Sequence, residues 1–172
     1  PDGRLTPGSG VDLKIFAGDD GFARPMAQMP GEGPTWIGVV TVLPDSAGRE
    51  RMLCHYVKIK PPLTAYRRGL AEWNGEAERF ELVKELSDGD RALPHGHVLL
   101  VGEGDERYAY FCSPMPLMRV RATAEAYLDP EQYEAFTCLT PGSSVEEPQI
   151  DRDDAGRPRF TWRRGAPALA PG

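Results

Sequence analysis

The sequence predicts an all-β protein made of β-propeller blades, each a four-stranded antiparallel sheet. Three observations carry that prediction. Glycine and proline supply 36 of the 172 residues, about 21% against roughly 12% in an average chain, and they are spread along the whole length. A bundle of long helices does not tolerate so many breakers, whereas short strands joined by turns require them. A hairpin-like unit recurs, and within it bulky residues alternate with others, as in Tyr108, Tyr110 and Cys112. That period of two is the mark of a strand with one buried face.

The repeat sets the order of elements. Gly48-Arg49-Glu50-Arg51-Met52-Leu53-Cys54-His55-Tyr56 aligns with Gly104-Asp105-Glu106-Arg107-Tyr108-Ala109-Tyr110-Phe111-Cys112. Gly156-Arg157-Pro158-Arg159-Phe160-Thr161-Trp162-Arg163-Arg164 forms a third copy, so the glycines lie 56 and 52 residues apart. Each copy has a turn glycine, an arginine three residues on, and a strand. Before the turns come the β-type runs 36–43, 97–101 and 148–150. After the first turn the runs 66–74 and 79–83 supply two more strands, and after the second turn 118–127 and 133–139 do the same. Four-stranded units of this length are the signature of propeller blades. A helix over 125–136 is the alternative for one stretch, and Pro130 together with the repeat favours strands there.

The domain organisation follows. Residues 1–35, rich in PDG, PGSG, GDDG and PGEGP, form an irregular N-terminal segment holding at most one strand, Val11 to Phe16. Residues 36–90 and 91–140 are blades, and 141–172 is a partial blade. Two and a half blades do not close a ring, so the chain reads as a segment of a larger propeller. The remaining blades come from the parent chain or from a second chain. The first residue is Pro1, which fits a processed or cut piece.

Charge and composition exclude several function classes. The formal net charge is −6, from 20 Lys+Arg against 26 Asp+Glu, and general binding of nucleic acid or of an anionic membrane needs a basic surface instead. No apolar run approaches the length of a membrane span. The three cysteines, Cys54, Cys112 and Cys138, show no CxxC or Cys/His spacing. They read as small buried side chains, zinc is not expected, and the spacing fixes no disulfide partners.

The run from Gly96 through His97-Val98-Leu99-Leu100-Val101, Arg107 to Ser113 and Arg119-Val120-Arg121-Ala122 resembles a blade of the five-bladed propeller glycosidases. So does Val145-Glu146-Glu147-Pro148-Gln149-Ile150, followed by Gly156 to Trp162. These enzymes are of the arabinanase, xylosidase and fructosidase type, with many uncharacterised relatives, and the likeness covers roughly residues 36–172. It implies a site at the mouth of the central channel, where carboxylates from different blades divide the roles of general acid and of base or nucleophile. The family's acid sits in a Glu-(Gly/Ala)-Pro stretch. Glu147-Pro148 stands at the matching place, with Glu146 beside it and no small residue between. Asp20, in Gly18-Asp19-Asp20-Gly21, is the candidate base, and a turn is its alternative reading. The family's Asp-Pro before the first inner strand is replaced here by Pro34-Thr35.

Substrate contacts are expected from His95 and His97, which are two apart and so face one way in a strand. They are also expected from Trp36, Arg67 and Arg68, because an indole face stacks on a sugar ring and a guanidinium donates paired hydrogen bonds to hydroxyls. Two histidines lack a third ligand, so no metal and no cofactor is expected. Arg51, Arg107 and Arg159 read as structural, and Trp73 and Trp162 as packing between blades. The sequence thus points to a carbohydrate-active, glycoside hydrolase-like propeller using carboxylate acid/base chemistry on a poly- or oligosaccharide. Its alternative is a non-catalytic propeller that binds glycan or protein. The expected partner is carbohydrate, with no nucleic acid and no membrane, in an extracellular or periplasmic setting.

Overall fold

A computed structural model describes residues 16–86, 97–111, 117–143 and 147–164. Two antiparallel sheets account for most of them. The first is a meander in chain order of β1 (Thr35–Pro44), β2 (Glu50–Lys60), β3 (Thr64–Asn74) and β4 (Arg79–Leu86). The second contains β5 (Val98–Val101), β6 (Tyr108–Phe111), β7 (Met118–Arg121), β8 (Glu134–Thr137) and β9 (Thr161–Arg164), again in chain order. The protein is therefore all-β, as the glycine, proline and alternation patterns require. No ring of sheets closes among the described residues.

Asp45 and Asp153 make the same turn twice. Asp45 Oδ1 accepts from Ala47 N and Arg49 N, both at 2.9 Å, and its Oδ2 accepts from Arg49 Nε at 2.9 Å. Asp153 repeats this with Ala155 N at 3.0 Å, Arg157 N at 2.9 Å and Arg157 Nε at 2.9 Å. Gly48 and Gly156 close these turns at φ +77° and +79°, a region open to glycine without strain. The hairpin of the second copy is built differently, with a 3-10 turn over Gly104–Glu106 ahead of β6.

The sheets meet face to face over one core. Leu43, Leu53, Leu70 and Leu86 of the first sheet pack with Phe111, Met118, Val120, Tyr127 and Tyr133. His55 is buried there, its ring 5.0 Å from that of Tyr127 and 6.0 Å from that of Phe111. Hydrogen bonds stitch the layers. Tyr127 Oη donates to Val39 O at 2.9 Å, and Tyr133 Oη donates to Tyr127 O at 2.8 Å. Val39 sits at φ +56° inside a bulge of β1, so its carbonyl leaves the ladder and needs this distant donor.

The N-terminal segment straps the opposite face of the first sheet. Met29 is buried with Cys54, Tyr56, Ala71 and Phe80. Phe80 N donates to Met26 O at 2.7 Å, Arg24 pairs with Glu78 at 2.9 Å, and Tyr66 Oη donates to Glu32 O at 2.7 Å. Of the expected strand from Val11 to Phe16, only Phe16 lies among the described residues, edge-on to Trp73 at 5.9 Å.

Three expectations are corrected. The run 118–127 is not one strand, because β7 ends at Arg121 and a four-residue helix α1 (Ala124–Tyr127) follows. Thr123 caps it, accepting from Ala126 N. Pro130 opens a 3-10 turn (Pro130–Gln132) at a position where its missing N–H costs nothing, so it starts a helical turn instead of excluding one. Finally, β9 does not begin a third sheet among the described residues, since it pairs with β8 as the fifth strand of the second.

Candidate functional site

The two ends of the sandwich carry different chemistry. Ser46 N donates to Glu125 Oε1 at 2.8 Å, which sets the β1–β2 turn beside α1 and the end of β7. The start of β1 therefore lies at the other end, with the start of β5. There Trp36 pairs with Val57, Val57 with Arg68, and Arg68 with Leu86. Directly opposed residues of antiparallel strands share a face. Trp36 and Arg68 thus stand on one side of the sheet, two strand spacings or roughly 10 Å apart. Trp36 is 52% exposed, an unusual state for so large a ring. His97, immediately before β5, is exposed at the same end.

The structure separates the other expected site residues. Arg67 points to the opposite face, where its Nη1 donates to Pro30 O at 2.9 Å and its Nε pairs with Glu85. It anchors the N-terminal strap instead of joining Trp36 and Arg68. Asp20 takes the turn role, its Oδ1 accepting from Phe22 N at 3.0 Å. Glu147 is exposed at a bend. Glu146 and His95 lie outside the described residues. No group of three His, Cys, Asp or Glu that could hold a metal occurs among the described residues. Cys54 and Cys138 are free thiols, and Cys112 is outside the described residues.

At the turn end a groove of about 810 Å³ opens, lined by Pro44, Asp105, Arg107, Arg121, Glu125 and Asp129 among others. Two of its carboxylates already hold donors. Glu125 accepts from Ser46 N, which keeps its carboxyl below the usual range. Asp129 accepts from Glu131 N at 3.1 Å and Gln132 Nε2 at 3.2 Å. The arginine of the repeat behaves differently in each copy. Arg51 forks onto Glu72 and Arg159 onto Asp151, whereas Arg107 has no ion-pair partner among the described residues.

The outer face of the second sheet carries the feature that sequence reasoning missed most completely. Arg119 lies between the rings of Tyr108 at 4.1 Å and Trp162 at 4.2 Å. Its Nε donates to Glu134 Oε2 at 2.8 Å and its Nη1 to Tyr110 Oη at 3.3 Å. Alternation at Tyr108 and Tyr110 announces an aromatic face. Nothing in the sequence announces that β7 and β9 bring Arg119 and Trp162 onto it.

Compared with known proteins, the chain matches no family model, no curated protein and no solved structure. The fold and the site define an all-β protein of two stacked meander sheets with an exposed tryptophan at one end and a polar groove at the other. The likeness to propeller glycosidases rests on the short hairpin and strand-entry motifs alone. No helix among the described residues is long and apolar enough to cross a membrane.

Proposed function

We propose that this chain is part of a propeller-type protein that binds carbohydrate at the Trp36 end without hydrolysing it. The observation that carries the reading is the exposed Trp36 on the same face as Arg68, at the end where β5 begins after His97. An open indole face offers a stacking surface for a sugar ring, and Arg68 adds a positive charge on the same face roughly 10 Å away. Hydrolysis would require two carboxylates about 5–9.5 Å apart across the glycosidic bond, and Asp20 is instead occupied in its own turn.

The propeller is the architectural half of the proposal. Its support is the chain-order meander of both sheets, the topology of a blade. Aligning Gly48 with Gly104 makes Leu53 equivalent to Ala109, and both face the inter-sheet core. Blades related by rotation need equivalent residues to face successive neighbours in the same sense. Under the Gly48–Gly104 alignment Leu53 and Ala109 face each other instead, so the support for a ring is the meander topology and not the register of the repeat. An extracellular or periplasmic setting accompanies a glycan ligand.

The test is binding of a polysaccharide panel to the chain and to its Trp36→Ala and Arg68→Ala variants, with reducing-sugar release measured in parallel. Binding lost in both variants and no sugar released is the expected result. Binding untouched by Trp36→Ala ends the reading. Sugar release abolished by Glu147→Gln would restore the hydrolase in its place.

A further inference from the structure

We propose that the groove at the turn end is a second, separate ligand site, for a neutral polyhydroxylated molecule such as a sugar or sugar alcohol. Its volume of about 810 Å³ falls within the range of small-molecule sites. Of the three arginines at the repeat position, Arg51 and Arg159 are held by carboxylates, and Arg107 stands in the groove wall with none. Arg121 lies over the Tyr108 ring at 4.6 Å, and its nearest carboxylate oxygen, from Glu106, is 3.6 Å away, beyond hydrogen-bond length. Its Nη1 is buried with no hydrogen-bond partner among the described residues. Buried guanidinium donors are normally satisfied, so Arg121, a residue of the groove lining, keeps a donor that no described group uses.

Charge selects the ligand. Asp105, Glu125 and Asp129 outnumber Arg107 and Arg121 in the lining, which disfavours an anion even though guanidinium groups are present. A cation meets the two arginines. A hydroxyl suits both, because its oxygen accepts from a guanidinium while its proton goes to a carboxylate. Adjacent hydroxyls on one carbon chain can each accept from a guanidinium N–H and donate to a carboxylate of the same lining. Pro44 in the same lining gives the ligand's C–H surface an apolar wall.

Titration of the intact chain with glucose, sorbitol, maltotriose and inorganic phosphate, followed by amide NMR and calorimetry, decides the matter. A polyol is expected to shift the amides of residues 104–107 and 121–132, and phosphate is not. Arg121→Met should weaken that binding by about tenfold or more, the loss of a charged donor pair. Arg107→Met should weaken it less and, being exposed, does not threaten the fold. Trp36→Ala should leave it unchanged, which separates this site from the one at the other end. Groove amides unmoved by every polyol, phosphate binding in their place, or polyol binding indifferent to both arginine substitutions would each overturn the proposal.

Discussion

Replacing Arg119 by methionine removes a charge while keeping most of the side chain's length and apolar contact. Arg119 is 17% exposed, so its interactions are only partly screened. Two ring contacts at 4.1 and 4.2 Å are worth about 1 kcal/mol each in such a setting. The bond to Glu134 at 2.8 Å adds about 1 kcal/mol, because the substitution leaves that carboxylate with the more distant Arg164 alone. The sum is about 3 kcal/mol, less roughly 1 kcal/mol recovered by burying the thioether between the rings. For a chain of this size that corresponds to a fall in Tm of about 4–8 °C. Urea and thermal unfolding of the wild type, Arg119→Met and Arg119→Lys provide the measurement. Lysine keeps the charge and loses the planar stacking, so it should fall between the other two. A double-mutant cycle with Glu134→Gln should return a coupling of about 1 kcal/mol. An Arg119→Met protein within about 0.5 kcal/mol of wild type, the range of ordinary surface changes, would mean that the ring contacts and the Glu134 bond contribute almost nothing to stability.

Other sites give independent tests. Tyr127→Phe deletes the donor to Val39 O and leaves a buried carbonyl unmet, which should cost about 1–2 kcal/mol in urea unfolding; an unchanged midpoint would show that Val39 has another partner. Gly69→Ala would place a methyl 2.2 Å from Lys84 O and 2.6 Å from the Tyr56 ring, and should cost about 3 kcal/mol through forced displacement of β4. Gly48→Ala meets no atom within 4 Å and faces only the φ +77° strain, about 1 kcal/mol, so the two glycines should differ clearly in one assay. Burial raises the Cys54 thiol from 9.0 to about 12 and lifts the Tyr127 and Tyr133 hydroxyls above the usual tyrosine range. These groups stay protonated in the fold and ionise on unfolding, so their contribution is complete below pH 9.0 and declines above it. The slope from Cys54 is about 1.4 kcal/mol per pH unit, steepening above about pH 10 as the tyrosines join. Cys54→Ala should delay the onset to the tyrosine range, and a flat profile up to that range in the wild type would contradict the assignment. In acid the sign reverses. Hydrogen bonds from Arg49, Arg159 and Arg157 hold Asp45, Asp151 and Asp153 below 3.8, so the stability they give is present above 3.8 and lost as pH falls through their lowered values.

What the sequence discloses follows from the range of each interaction. The strands from Thr35 to Leu86 are legible because alternation and turn residues act locally, within a few positions. The turns at Gly48 and Gly156 are legible as well, and the Asp-x-Ala-Gly-Arg pattern shared by residues 45–49 and 153–157 was the fuller signal. α1 was obscured because Pro130 marks a boundary without saying which kind of element it opens. The bulge at Val39 and its bond to Tyr127 join residues 88 positions apart, and no local pattern encodes that. The site fared similarly. Trp36 and Arg68 are brought to one face by register, while Arg67, their neighbour in sequence, is turned away by the same period of two. The groove draws its wall from β1, the Gly104 turn, β7 and α1, so it exists only after the sheets have packed.

The hydroxyl of Tyr127 on the carbonyl of Val39 has a consequence for how the protein comes apart. Tyr127 belongs to the helical turn after β7, and Val39 to the edge strand of the other sheet. With His55 from the first sheet lodged among Phe111, Tyr127 and Tyr133, neither sheet keeps a closed core if the other leaves. The two layers should therefore be a single cooperative unit. Amide protons at the centres of β2 and β7 should exchange with solvent through one common global opening, with equal free energies.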